Sequence, residues 1–286
     1  MSMSSSRISD DSEAILKDLK IPPAPDIILQ LQQELREEAP SLDAIGDIIQ
    51  KDAAISGLVL KTVNSPLFGL RATIQSIPQA IMLLGFSYVG NIVQGLVLRQ
   101  TLGQGDALPP RFWGSSSNRA LLMAALSTHL LDCSADQAYL LGLFHDVGQA
   151  MIAQRQSDYA DFIAANDNDP DHALTRLEDE FYNFNHASVG FYLARNWGLP
   201  EGIRNIILHH HQSSEFLERD DGDDCEQAMM AVLKMAEHIE RGHAGIDPDH
   251  EWGREQEAVL GYLGMSEVDF EDLRVDLLDR LMLELN

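Results

Sequence analysis

The sequence predicts an all-α protein in which an N-terminal helical lobe packs on a second, multi-helix lobe. Three observations carry this. Apolar residues recur at three- and four-residue steps in almost every periodic segment, and none shows the sustained alternation of a strand. The 286 residues are long for one domain and comfortable for two, or for one with two lobes. The stretch 103–110 carries two glycines and two prolines and is the best boundary between lobes.

The elements follow in order. Residues 1–11 are a Ser-rich, disordered tail, and Ser12 to Leu19 is a short helix. Ile21-Pro22-Pro23-Ala24-Pro25 is a rigid extended connector, because proline fixes its own φ and disfavours helix in the residue before it. Helices are expected over Asp26 to Leu35, Leu42 to Gln50 with Ser41 as cap, and Ala53 to Val63. Asn64-Ser65-Pro66 breaks the pattern, and its polar side chains are read as capping a helix end and turning the chain. Ser76-Ile77-Pro78-Gln79 has the spacing of a capping box with proline in the first turn, so Ile77 to Leu84 is a helix, closed by Gly85. Ser87 to Leu102 completes the lobe, spanning 12–103 with the first helix.

The second lobe, 109–243, opens with a long helix from Phe112 to Leu131. Ser134-Ala135-Asp136-Gln137, again a capping-box pattern, starts the helix that ends at His145 and Asp146. Further helices are expected over Asp158 to Ala164, Ala173 to Phe181, His186 to Trp197, Pro200 to His209 and Glu226 to Arg241. Residues 218–224 read as an acidic solvated loop. A C-terminal extension, 244–286, carries two amphipathic helices, Glu251 to Leu263 and Val268 to Leu285.

Composition excludes several functions. The formal net charge is −25, which repels phosphate backbones, so direct nucleic-acid or anionic-membrane binding is not expected. No apolar run approaches the ~18 residues of a membrane span, and the N-terminus lacks a signal peptide's apolar segment. Only two cysteines occur, Cys133 and Cys225, far apart, so no disulfide is expected and a cytoplasmic location is the default.

Chemistry concentrates at helix ends. His145-Asp146 closes one helix, His186 opens another, and His210-His211 follow a third. Helix ends converging on one cavity are a way for an all-helical protein to assemble a metal site. Mixed imidazole and carboxylate ligands suit iron, manganese, nickel or zinc without selecting among them. The alternative is that the pairs satisfy each other, the backbone and the helix dipoles. Arg195 and Arg204 lie near these helices and are candidate anion contacts, or plain solvent-facing arginines. The remaining histidines, His129, His172, His238, His243 and His250, read as surface residues.

Phe112-Trp113, then Gly142-Leu143-Phe144-His145-Asp146-Val147-Gly148, His186-Ala187-Ser188-Val189-Gly190, Trp197-Gly198-Leu199-Pro200 and His210-His211 together resemble the HD superfamily of metal-dependent phosphohydrolases. The N-terminal segments Ile21-Pro22-Pro23-Ala24-Pro25, Ile48-Ile49-Gln50-Lys51-Asp52, Leu60-Lys61-Thr62-Val63-Asn64-Ser65 and Ile77 to Gly85 narrow the resemblance to its HDOD branch, the HD-related output domains of bacterial signalling proteins. It covers roughly Leu16 to Glu240. The resemblance implies an HD-like second lobe and a degenerate metal site of His145, Asp146, His186, His210, His211 and Glu237 for a divalent ion (iron, manganese, nickel, zinc or magnesium). Ser115 or Ser116 stands where the family's first histidine ligand belongs, and Glu237 replaces its closing aspartate.

Three functions follow as expectations. The first is a bacterial signal-transduction protein that regulates through an unidentified protein partner. The second is a divalent-metal phosphohydrolase of nucleotides or other phosphate esters. The third is a sensor of a small ligand. Oligomeric state is not legible.

Overall fold

The structure, a computed structural model, describes residues 21–70, 72–103, 108–109, 111–130, 133–219 and 222–283. The expected tail and the Ser12 to Leu19 helix lie outside them. Among the described residues every regular element is helical.

In the first lobe α1 (Asp26–Leu35), α2 (Leu42–Gln50), α3 (Ala53–Val63) and α4 (Ile77–Leu84) pack on α5 (Phe86–Leu102), and a 3-10 turn lies at Pro66–Phe68. Local chemistry sets the boundaries. The Ser41 hydroxyl accepts from Ala44 N at 3.2 Å, the Asp52 carboxylate from Ala54 N at 2.9 Å, and the Ser76 hydroxyl from Gln79 N at 3.3 Å. Asn64 turns the chain as the sequence suggests: its amide donates to Leu60 O at 2.7 Å and Ile74 O at 2.9 Å, and its Oδ1 accepts from Ile74 N at 2.7 Å.

The second lobe contains α6 (Phe112–Leu130), α7 (Ala135–Phe144), α8 (Val147–Ala153), α9 (Tyr159–Asn166), α10 (Leu174–Tyr182), α11 (His186–Asn196), α12 (Glu201–His209), α13 (Ser213–Leu217) and α14 (Asp224–His243). The extension is α15 (His250–Leu263) and α16 (Glu267–Leu283).

Helix α5 is buried almost all round and packs on α7 across the lobes. A Cβ on Gly95 would lie 1.9 Å from Leu143 Cδ2, so only glycine permits this approach. Trp197, 1% exposed, ties the proline connector to the second lobe: its indole N–H donates to Pro22 O at 3.0 Å, and its carbonyl accepts from Gln32 Nε2 at 2.8 Å.

Four expectations need correction. The chain re-enters helix at Val147, because Asp146 (φ −95°, ψ 5°) interrupts only one turn. Gly148 is a packing residue inside α8. The short α13 was also not foreseen. Ser134 does not cap α7; its hydroxyl donates to the Asp136 carboxylate instead. Cys133 and Cys225 are joined, because the start of α14 comes up beside the α6–α7 connection and leaves their Cα atoms 5.9 Å apart. Distance along the chain was no guide to distance in space. No helix among the described residues is long and apolar enough to cross a membrane.

Candidate metal centre

Each candidate imidazole reaches the centre from a helix end and is held through its Nδ1. His210 Nδ1 donates to Ile207 O at 2.8 Å, and His145 Nδ1 to Gly142 O at 2.8 Å. His186 Nδ1 donates to the buried Glu178 carboxylate at 2.7 Å, and His211 Nδ1 to Glu251 at 2.8 Å. A carbonyl or carboxylate only accepts, so the proton sits on Nδ1 and Nε2 is left to point inward.

Three of these Nε2 atoms meet. His186 Nε2 is 3.3 Å from His210 Nε2 and 3.0 Å from His211 Nε2. Asp146 Oδ1 lies 3.4 Å from His186 Nε2 and 3.5 Å from His210 Nε2. All four ligand atoms fall within 4.8 Å of one another. Metal–nitrogen bonds of about 2.0–2.1 Å give tetrahedral edges of roughly 3.3–3.4 Å and octahedral edges of roughly 2.9 Å. The four separations given, 3.0–3.5 Å, lie close to those edges, so Asp146, His186, His210 and His211 could hold a single divalent ion. The donor chemistry agrees, because imidazole nitrogens that converge this closely need a cation among them, a metal ion or a proton. The cluster draws positive charge: burial lowers the His186 pKa, but the Glu178 and Asp146 carboxylates overcome it and push it up to about 10. Burial and neighbouring His211 push His210 well down.

The other half of the expected ligand set is occupied differently. Arg119 Nη1 donates to Asp146 Oδ2 in a short ion pair and to His145 Nε2 at 3.1 Å, while Nη2 reaches Glu240 at 3.5 Å. Asp146 thus splits its oxygens, Oδ2 to Arg119 and Oδ1 to the imidazoles. Glu237 Oε1 lies 3.3 Å from His145 Nε2, but its Oε2 accepts from Lys234 at 2.7 Å. Of the six expected residues four converge, while His145 and Glu237 border them: His145 Nε2 faces the Arg119 guanidinium, and Glu237 is bound by Lys234.

The serines also separate. Ser116 is buried and donates to Phe112 O at 3.0 Å, so its hydroxyl is spent on the helix. Ser115 lines a small cavity of about 70 Å³ beside Arg119 and Asp146. Of the two readings left open for Arg195 and Arg204, the anion contact finds no support, because neither arginine lines the space in front of the cluster. Arg195 is exposed at the far end of α11, nine residues or ~13 Å along the axis from His186. Arg204 is in the first turn of α12, whereas His210 follows its last. The cations that line the space in front of the cluster are Arg119, Lys234 and Arg241, each matched by carboxylates. That space is about 30 Å³, the room of one water. His238 is not a free surface residue either: it donates to Asp249 at 2.9 Å and stacks on Trp252 at 4.7 Å. His129 lies outside what is described of side chains.

Sequence reasoning missed Arg119, Glu178, Lys234, Glu240 and Glu251. Arg119 had a signal, since it stands one helical turn after Ser115 and Ser116 on the same face. Glu251 had none, being 40 residues from His211.

The sequence pattern of the HDOD domain matches residues 21–213. An uncharacterized protein of Treponema pallidum (strain Nichols) is 28% identical over 202 residues, which is 67% of this chain and 37% of that protein. The chain therefore spans little more than a third of that relative. An HDOD domain protein of unknown function from Geobacter sulfurreducens has the same fold, with TM-score 0.65 at 21% identity over 95% of this chain and 94% of its own. A candidate phosphohydrolase from Shewanella amazonensis SB2B superposes with TM-score 0.66 at 20% identity, over 92% and 93% of the two chains. A candidate signal transduction protein from Marinobacter aquaeolei VT8 gives TM-score 0.68 at 18% identity, over 94% of this chain and 60% of the other. With the family pattern matching residues 21–213, about two thirds of its length, this chain belongs to the HDOD domain family.

Proposed function

We propose that the protein is a regulatory module of signal transduction that binds one divalent ion at Asp146, His186, His210 and His211 without hydrolysing phosphate esters, and that acts through a protein partner. The single observation behind this is Arg119. Its guanidinium is bonded to His145 and Asp146, so a positive charge from the chain itself already occupies that half of the site. An ion in the imidazole half would act as a Lewis acid. The surrounding residues would give it little to act on, because the space in front is about 30 Å³ and each cation lining it already faces a carboxylate. A phosphate ester needs a seat some ten times larger.

A second reading, the metal-dependent phosphohydrolase, is favoured by the four intact converging ligands. One experiment separates the two. Protein purified without a histidine tag is reconstituted with manganese, iron, nickel or zinc, its metal content measured, and nucleotides and p-nitrophenyl phosphate assayed against an Asp146→Ala variant. The regulatory reading expects close to one ion per chain, lost in the variant, and no hydrolysis above that of the variant. Turnover that scales with bound metal and vanishes in Asp146→Ala establishes the hydrolase instead. Less than about a tenth of an ion per chain removes the metal from both readings. Affinity capture from the native host that recovers no reproducible partner counts against the regulatory one.

A further inference from the structure

A second, larger cavity of about 230 Å³ lies between α3 and α5 of the first lobe, α6, α7 and α14 of the second, and α16 of the extension. Its lining is unlike the rest of this acidic chain. Lys61, Arg99 and His243 contribute to it, and no carboxylate does. The Lys61 and Arg99 side chains are exposed at the rim and make no ion pair or hydrogen bond among the described residues. Deeper in the structure, His243 Nδ1 is buried without a hydrogen-bond partner among the described residues. In a protein of net charge −25 basic groups normally find acids, as Arg119, Lys234 and Arg241 all do. The floor, by contrast, is apolar: Leu96, Leu121 and Leu143 are buried there. Gly114 faces the cavity with nothing within 4 Å of where a Cβ would stand.

We propose that this cavity binds a small amphipathic anion, a carboxylate or phosphate head group on a short apolar body. The head sits between Lys61 and Arg99, whose donors have no competing acceptor. The body lies on the leucines, where water is most cheaply displaced. A cationic or purely polar ligand gains neither contact. The site is separate from the metal centre, and its test involves no metal. It shares walls with that centre, however: Asn118 precedes Arg119 on α6, and Leu143 lies two residues before His145.

Isothermal titration of the full chain with octanoate, octyl phosphate and octylamine tests the proposal. At least one of the two anions is expected to bind at one site per chain, the stronger of them identifying the head group, with no binding of octylamine. Lys61→Met together with Arg99→Met keeps the apolar stems and should weaken the anion ~tenfold or more, as loss of charge-assisted contacts does. Gly114→Leu fills the cavity without touching a charge and should abolish binding, with circular dichroism showing an intact fold; it carries the test alone if the double variant does not fold. The proposal is overturned if neither anion binds at millimolar concentration, if octylamine binds as well as the anions, or if both variants bind like the original chain.

Discussion

Arg119 and Glu255 show what burial does to single ionisable residues. Burial disfavours the Arg119 cation, but Asp146, Glu240 and Glu237 more than compensate, and its pKa is raised. Truncating it would leave the Asp146 and Glu240 carboxylates buried and short of charge. Arg119→Met is therefore expected to cost about 3–5 kcal/mol in urea unfolding, far beyond an exposed arginine such as Arg195. Glu255 is the opposite case. It is 8% exposed, its Oε2 has no partner among the described residues, and burial pushes its pKa up to about 7. A carboxyl with a raised folded-state value stabilises the fold fully below its unfolded value of 4.5 and loses that contribution as pH rises through about 7. Glu255→Gln should accordingly raise the free energy of unfolding at pH 8, by up to about 1–3 kcal/mol, and leave it nearly unchanged at pH 4.5. Equal shifts at both pH values would mean that the carboxyl is charged throughout.

At the scale of elements, the site depends on how closely two helices approach and on what the extension adds. A Cβ on Gly148 would lie 1.9 Å from His186 O and 2.8 Å from Gly190 N, so α8 and α11 touch backbone to backbone where His186 enters the centre. Gly148→Ala is expected to cost about 1–3 kcal/mol or more and to weaken metal binding, both readable in one thermal titration with and without zinc. Helix α15 supplies Glu251, which holds His211 and Lys234. Glu251→Gln should lower metal affinity ~10–100-fold in a competition assay with a chromogenic chelator, with little change in helix content. These elements also mark how much could be read beforehand. Caps such as Ser41 and Ser76 and the helix-end histidines are local signals, and they were legible. The approach of α8 to α11, the Glu251 contact and the Cys133–Cys225 pairing depend on the tertiary path. No spacing in the sequence encodes that path. Arg119 lay in between: its helix face was legible, but not the direction in which its long side chain would reach.

For the molecule as a whole, the all-α class and the assignment to this family were legible, because periodicity and motif order are properties of the chain itself. The pairing of charges was not. A net charge of −25 makes the compact state repel itself, and most of that charge is on the surface. Added salt screens it, with a Debye length of about 10 Å at 0.1 M. The unfolding midpoint is therefore expected to rise by about 2–4 °C between low salt and 0.3 M sodium chloride; a fall would mean that the internal ion pairs, not the surface, dominate.

The guanidinium between His145 and Asp146 has one more consequence. A tethered cation cannot be scavenged, diluted or exchanged, so the half of the centre that holds it is indifferent to the supply of metal around the protein. The imidazole half has no such insurance. On the reading proposed above, a response to metal scarcity would pass through His186, His210 and His211, with Asp146 linking His186 and His210 to Arg119.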